Sequence, residues 1–166
     1  MKKVLVQLVL AALLMSACGS GSDHAGHTGA GDDHSPGSMQ HGGSVPGAPA
    51  GAGDADREIT VIASDDLSFD PASMTVSAGE VVTFVVNNEG KTEHEFVLGD
   101  EAYQDMHEQD MAEGDHHMSG MDNAVVVPPG ETIELTWRFD EPGEVLYGCH
   151  EPGHYDGGMV GTVEVG

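Results

Sequence analysis

From Glu58 to Val165 the chain alternates apolar and polar residues in short runs, each bounded by Gly, Pro, Asn or Asp. Residues 58–63 place Ile59, Val61 and Ala63 on one side and Thr60 and Ile62 on the other, a period of two that predicts a strand. Residues 73–77 form a second run after the Asp70-Pro71 break, and Gly79-Glu80 is a turn. Residues 80–86 are rich in Val, Thr and Phe and end at Asn87-Asn88-Glu89-Gly90. Four more follow: residues 93–98; 124–127, stopped by Pro128-Pro129-Gly130; 131–139, with Ile133, Leu135 and Trp137 on one face; and 144–149. Residues 160–165 complete the set. Short β-rich runs separated by turns predict an all-β, antiparallel sandwich of about 110 residues, with Trp137, Phe84, Phe96 and the valines as core.

The pattern fails in three places. Residues 99–123 interleave Met106, His107, Met111, His116, His117, Met118 and Met121 with acidic residues. Read as a helix, residues 100–113 put Tyr103, Met106, His107 and Asp110 on one face. This is either an amphipathic lid over the sandwich or a second copper site, since thioethers suit Cu(I) and imidazole suits either oxidation state. Residues 18–56 hold little with which to build a core, and read as a disordered tether leading to a domain that begins near Arg57. His24, His27, His34, Met39 and His41 recur along the tether, a composition associated with metal binding.

Residues 1–17 have a basic start and an apolar run shorter than the about twenty residues needed to span a bilayer, so they read as an export signal. Leu14-Met15-Ser16-Ala17-Cys18 resembles a bacterial lipoprotein signal; cleavage before Cys18 would leave a diacylated anchor at the outer side of a membrane. Secretion without lipid is the alternative. Charge narrows the partners further. The chain carries 29 Asp and Glu against 5 Lys and Arg, which disfavours nucleic acid and anionic membrane surfaces and favours a basic partner protein. The same charge also keeps a monomer soluble.

The chemistry concentrates near the C-terminus. In Cys149-His150-Glu151-Pro152-Gly153-His154-Tyr155-Asp156-Gly157-Gly158-Met159 a thiol, an imidazole and a thioether recur at five-residue intervals. Two His and one Cys around a copper ion, with a more distant axial Met, form the ligand set of blue-copper sites, and His94 supplies the missing imidazole. A structural zinc site usually takes two to four Cys and has no use for a thioether. A Cys-His hydrolase would likewise leave Met159 without a role. A disulfide from Cys18 to Cys149 would tie the end of a tail to the core.

The Cys-x4-His-x4-Met loop before the last strand, the His94-Glu95-Phe96-Val97 strand start, and Phe69-Asp70-Pro71 ahead of residues 74–84 together resemble cupredoxins of the plastocyanin/azurin type. The ligand spacing is closest to the branch found with bacterial copper-tolerance systems. The resemblance covers residues 57–166 and implies a Greek-key sandwich and a type 1 copper ion held by His94, Cys149, His154 and Met159. It also implies one-electron transfer to a redox partner through the edge of His154. Many cupredoxins carry Asn after the first His, where this chain has Glu95. Two functions follow: a non-enzymatic electron carrier, or an envelope protein that sequesters several copper ions with its ten His and nine Met. A multicopper oxidase fragment is a weaker reading, because the chain has no His-x-His pair.

Overall fold

The structure, a computed structural model, describes residues 43–114 and 121–166. One sheet orders its strands as β1 (Ala48–Pro49), β8 (Thr132–Arg138), β5 (Val81–Asn88), β2 (Arg57–Ser64) and β3 (Ser68–Asp70). The other orders β4 (Ser73–Val76), β10 (Val160–Val165), β9 (Gly143–Gly148), β6 (His94–Gly99) and β7 (Ala124–Val127). Inward-facing residues of both sheets, among them Val61, Val86, Phe84, Phe96, Val127, Trp137, Tyr147 and Val163, form one buried cluster. Phe96 lies near its middle, 5.2 Å from Phe84, 5.1 Å from Tyr147 and 5.8 Å from Phe69 between ring centroids. Interlocked aromatic contacts of this kind make a stiff frame.

The expected two-sheet sandwich forms, and its strand pairs are antiparallel with two exceptions. β2 runs parallel to β5, and β4 runs parallel to β10. After β3 the chain crosses to the second sheet as β4 and returns as β5, so β5 arrives beside β2 in the same direction. A turn between adjacent strands would force antiparallel pairing; a crossover does not.

The domain also begins earlier than Arg57. β1 pairs with β8, and Ala50 donates to the carbonyl of Thr136 at 3.1 Å. Trp137 is buried in the core and its indole N–H needs an acceptor, which the carbonyl of Pro46 provides at 2.9 Å. Gly47 makes this approach possible: its φ is +105°, and a Cβ there would lie 2.1 Å from the carbonyl oxygen of Arg138. Residues 43–56, read from sequence as the end of a tether, are therefore a strap on the sandwich. The rest of the expected tether and Cys18 lie outside the described residues.

The insertion contains one helix, α1 (Glu101–Ala112), close to the expected limits. Asp100 is its N-cap, accepting from the Tyr103 amide at 2.8 Å and from the Ser44 amide and hydroxyl, each at 2.7 Å. The inward face differs from expectation. Gln104, His107 and Met111 are buried, Met106 is half-buried and Asp110 is exposed. Gln104 is drawn in by backbone carbonyls of Val97 and Leu146, a polar attraction that an apolar periodicity cannot mark.

Candidate metal centre

The ladder between β6 and β9 ends with Val97 opposite Gly148. His94 and Cys149 therefore lie just past the ladder at the same end of the sandwich. The Cys149 amide donates to the Met159 carbonyl at 3.1 Å, and the Met159 amide donates to the His154 carbonyl at 3.0 Å. These bonds close the loop into a tight cup. Within it, His154 donates its amide to Glu151 and Gly157 donates to Gly153, so the loop folds upon itself.

The Cys149 sulfur lies 3.8 Å from Nδ1 of His94 and 3.3 Å from Nδ1 of His154. One ligand atom from each of the three lies within 4.8 Å of the others, and among the described residues this is the group of His, Cys, Asp or Glu that such a criterion finds. His94 and Cys149 are fully buried, His154 is half-buried, and Met159 is fully buried directly after the loop. His154 thus forms the outer edge, beside the exposed Pro152, Gly153, Gly157 and Gly158.

Electrostatics suit a soft cation. Burial pushes the Cys149 thiol up to about 12, although backbone N–H groups of Glu95, at 3.3 Å, and of Glu151 point at the sulfur and favour the thiolate. Without a cation the charged form is opposed; a bound ion would compensate it. Burial, and then the nearby His154, hold the His94 imidazole below its ordinary value, which favours the neutral form that ligates metal. Thiolate, two imidazoles and an adjacent thioether match copper in donor type.

The loop before His94 is fixed by two residues the sequence reading did not single out. Asp65 accepts from the amides of Lys91 and Thr92 and from the Thr92 hydroxyl, with its Oδ1 3.8 Å from His94 Nε2. Those bonds, the Lys91 amide foremost, hold its carboxyl below the usual range. Asn88, fully buried, donates to the carbonyls of Thr92 and Val127 at 2.8 Å each. Asx residues in a turn are too common for either role to be read from sequence.

Four of the seven residues expected at a second copper site lie among the described residues. His107 is buried with its Nε2 3.7 Å from Glu95 and no hydrogen-bond partner for that nitrogen. Met111 is buried at the margin of a cavity shared with Glu108 and His150. Met106 and Met121 are half-buried, and His116, His117 and Met118 lie outside the described residues. Among the described residues, His107 belongs to no group of three His, Cys, Asp or Glu side chains close enough to share an ion.

The chain is similar to known copper proteins. A family model for copper binding proteins of the plastocyanin/azurin family matches residues 57–166. The copper-resistant cuproprotein CopI of Rubrivivax gelatinosus is 41% identical over 140 residues, covering 82% of this chain and 85% of that protein. The copper-resistant cuproprotein CopI of Vibrio cholerae serotype O1 is 34% identical over 167 residues, with 99% of each chain covered. Among solved structures, auracyanin A, a "blue" copper protein from Chloroflexus aurantiacus, superposes with a TM-score of 0.56 at 26% identity over 66% of this chain and 98% of its own. By fold, site and ancestry, this chain belongs to the plastocyanin/azurin family of copper-binding proteins, the cupredoxins.

Proposed function

We propose that this chain is an exported type 1 copper protein that carries one electron, in which His94, Cys149, His154 and Met159 would hold the copper. The observation that carries this reading is the convergence of Cys149 Sγ with the two Nδ1 atoms at 3.8 and 3.3 Å, from positions 55 and 5 residues away in sequence. Copper so held would supply a one-electron couple, with Met159 and the surroundings of the Cys149 sulfur adjusting its potential. The chain makes and breaks no substrate bonds. Its two packed sheets keep the ligands in place whichever charge the ion has, and the half-buried His154 edge is the port to a partner. The surplus of acidic residues suits a redox protein with a basic docking face. Cys18 would anchor the mature chain by lipid on the outer side of a membrane.

Visible absorption and copper stoichiometry, measured on one sample, test the reading. The loaded protein should show the intense sulfur-to-copper charge-transfer band, and Cys149→Ser should abolish it; a Cys149→Ser protein that kept the band would refute the assignment. A second reading, copper sequestration for tolerance, is favoured by likeness to relatives named for copper resistance and by the ten His and nine Met of the chain. In that case several copper ions bind per chain, one at this centre and others at the His/Met-rich segments, including Met106, His107, Met111, His116, His117, Met118 and Met121.

A further inference from the structure

The residue that follows each of the three metal-facing side chains belongs to one cluster beneath α1, with Glu95 and His150 buried and Tyr155 half-buried. Glu95, after His94, accepts from the His150 amide at 3.3 Å. His150, after Cys149, has its Nε2 2.6 Å from Gln104 Oε1 and its Nδ1 2.8 Å from Glu108 Oε2. Tyr155, after His154, stacks on the His150 ring at 4.6 Å and 23°. Three ligands from two parts of the chain thus share one support.

Gln104 is the centre of that support. Its Nε2 donates to the carbonyl of Val97 in β6 at 2.8 Å and to that of Leu146 in β9 at 3.4 Å, which leaves Oε1 to face His150. One fully buried amide therefore bridges the strand that begins at His94, the strand that leads to Cys149, and the residue after Cys149. An apolar side chain of the same size would fill the volume, so packing alone gives no reason for an amide. Gly148 fits the same arrangement, since a Cβ there would lie 2.7 Å from Gln104 Oε1 and 2.9 Å from the Tyr155 ring. Both ring nitrogens of His150 are engaged, Nε2 by Gln104 and Nδ1 by Glu108. The His150 ring is held from both sides and cannot turn without breaking a bond.

We propose that Gln104 is a positioning residue for the copper centre: through His150, with Glu108 on the other ring nitrogen and Tyr155 on its face, α1 sets the orientation of Cys149 and His154 toward the ion. This rests on the reading of His94, Cys149 and His154 as copper ligands. Groups that orient metal ligands govern affinity and electronic structure, and their loss typically costs about 10- to 100-fold in metal affinity or activity.

The test uses the full copper-loaded chain, with visible spectrum, reduction potential and copper affinity as readouts. Gln104→Met, which keeps the volume and removes the bonds, should change the relative intensities of the charge-transfer bands and weaken copper binding about tenfold. It should also shift the one-electron equilibrium by up to about tenfold, or 59 mV. Glu108→Ala should act in the same direction and Glu108→Gln should restore most of the change, while Gln109→Ala, exposed on the same helix, should change nothing. Should Gln104→Met fail to fold, the partly exposed Glu108 pair decides alone. Wild-type spectrum and potential in folded Gln104→Met and in Glu108→Ala overturn the proposal while leaving the copper reading intact. So does a shift in Glu108→Ala that Glu108→Gln fails to restore, because charge would then be the cause. Absence of a charge-transfer band in the parent protein overturns both.

Discussion

The carboxylate of Glu95 accepts a hydrogen bond from the backbone N–H of His150 at 3.3 Å, so the residue after the upstream histidine holds the residue after the cysteine. The Glu95 carboxylate also lies 3.7 Å from His107 Nε2, which has no hydrogen-bond partner. With all three groups buried, the carboxylate cannot be replaced by water without rearrangement.

Removing that carboxylate should therefore be costly and replacing it by an amide less so. Glu95→Ala leaves the buried His150 amide without its acceptor, a loss of about 1–3 kcal/mol. Glu95→Gln keeps one acceptor oxygen and should recover at least half of it. Denaturant unfolding of the copper-free variants measures both.

Met159 is expected to act on the potential more than on copper retention. It is fully buried, and its backbone bonds to Cys149 and His154 do not depend on its side chain. Met159→Leu conserves volume at a cost below about 1.5 kcal/mol, so the cup should persist. The variant should keep one tightly bound copper with a raised reduction potential and an altered charge-transfer spectrum, because a soft axial donor has been lost. Voltammetry and copper analysis on the same sample separate the two effects.

What could be read from sequence divides along a physical line. Cys149, His154 and Met159 were legible because soft donors on one loop have few other uses, and His94 because it opens a β-branched, aromatic strand start. The limits of α1 were legible because Asp100 can cap a helix, whereas its inward face was not. Gln104 is buried by bonds to Val97 and Leu146 carbonyls that exist only once β6 and β9 are paired. β1 was invisible for a related reason. Ala48 and Pro49 have no strand propensity, and their place is set by the edge of β8 and by the indole N–H of Trp137. A buried Trp in need of an acceptor was the one available signal, and it does not say where the acceptor comes from.

The strap offers a test of its own. With the strap in place, Gly47→Ala must both keep a positive φ and push its methyl into the Arg138 carbonyl, so the strap should lift from Trp137. We expect a loss of about 1–3 kcal/mol in unfolding free energy, with a red shift of Trp137 fluorescence as its indole gains water. An unchanged emission maximum in a folded Gly47→Ala protein would show that the contact with Pro46 does not hold the strap.

Asp100 joins the strap to α1, and its ionisation should govern both. Burial opposes the charged form but is outweighed by hydrogen bonds from Ser44 and Tyr103, so its carboxyl titrates below its ordinary value of 3.8. A folded-state value lower than the unfolded one means the stabilisation is complete above about pH 4 and is lost as pH falls through the folded value. Asp100→Ala should remove the cap and the tie to Ser44 at neutral pH, at about 0.5–2 kcal/mol, and the gap between variant and parent should close in acid. Asp100→Asn keeps a capping oxygen without the charge, so at neutral pH it should fall between the two and should not share the parent's acid-dependent loss at this position. Melting temperatures of the three proteins from pH 7 down to pH 3 follow this directly: parallel curves for parent and Asp100→Ala would mean that the carboxylate contributes nothing through its charge.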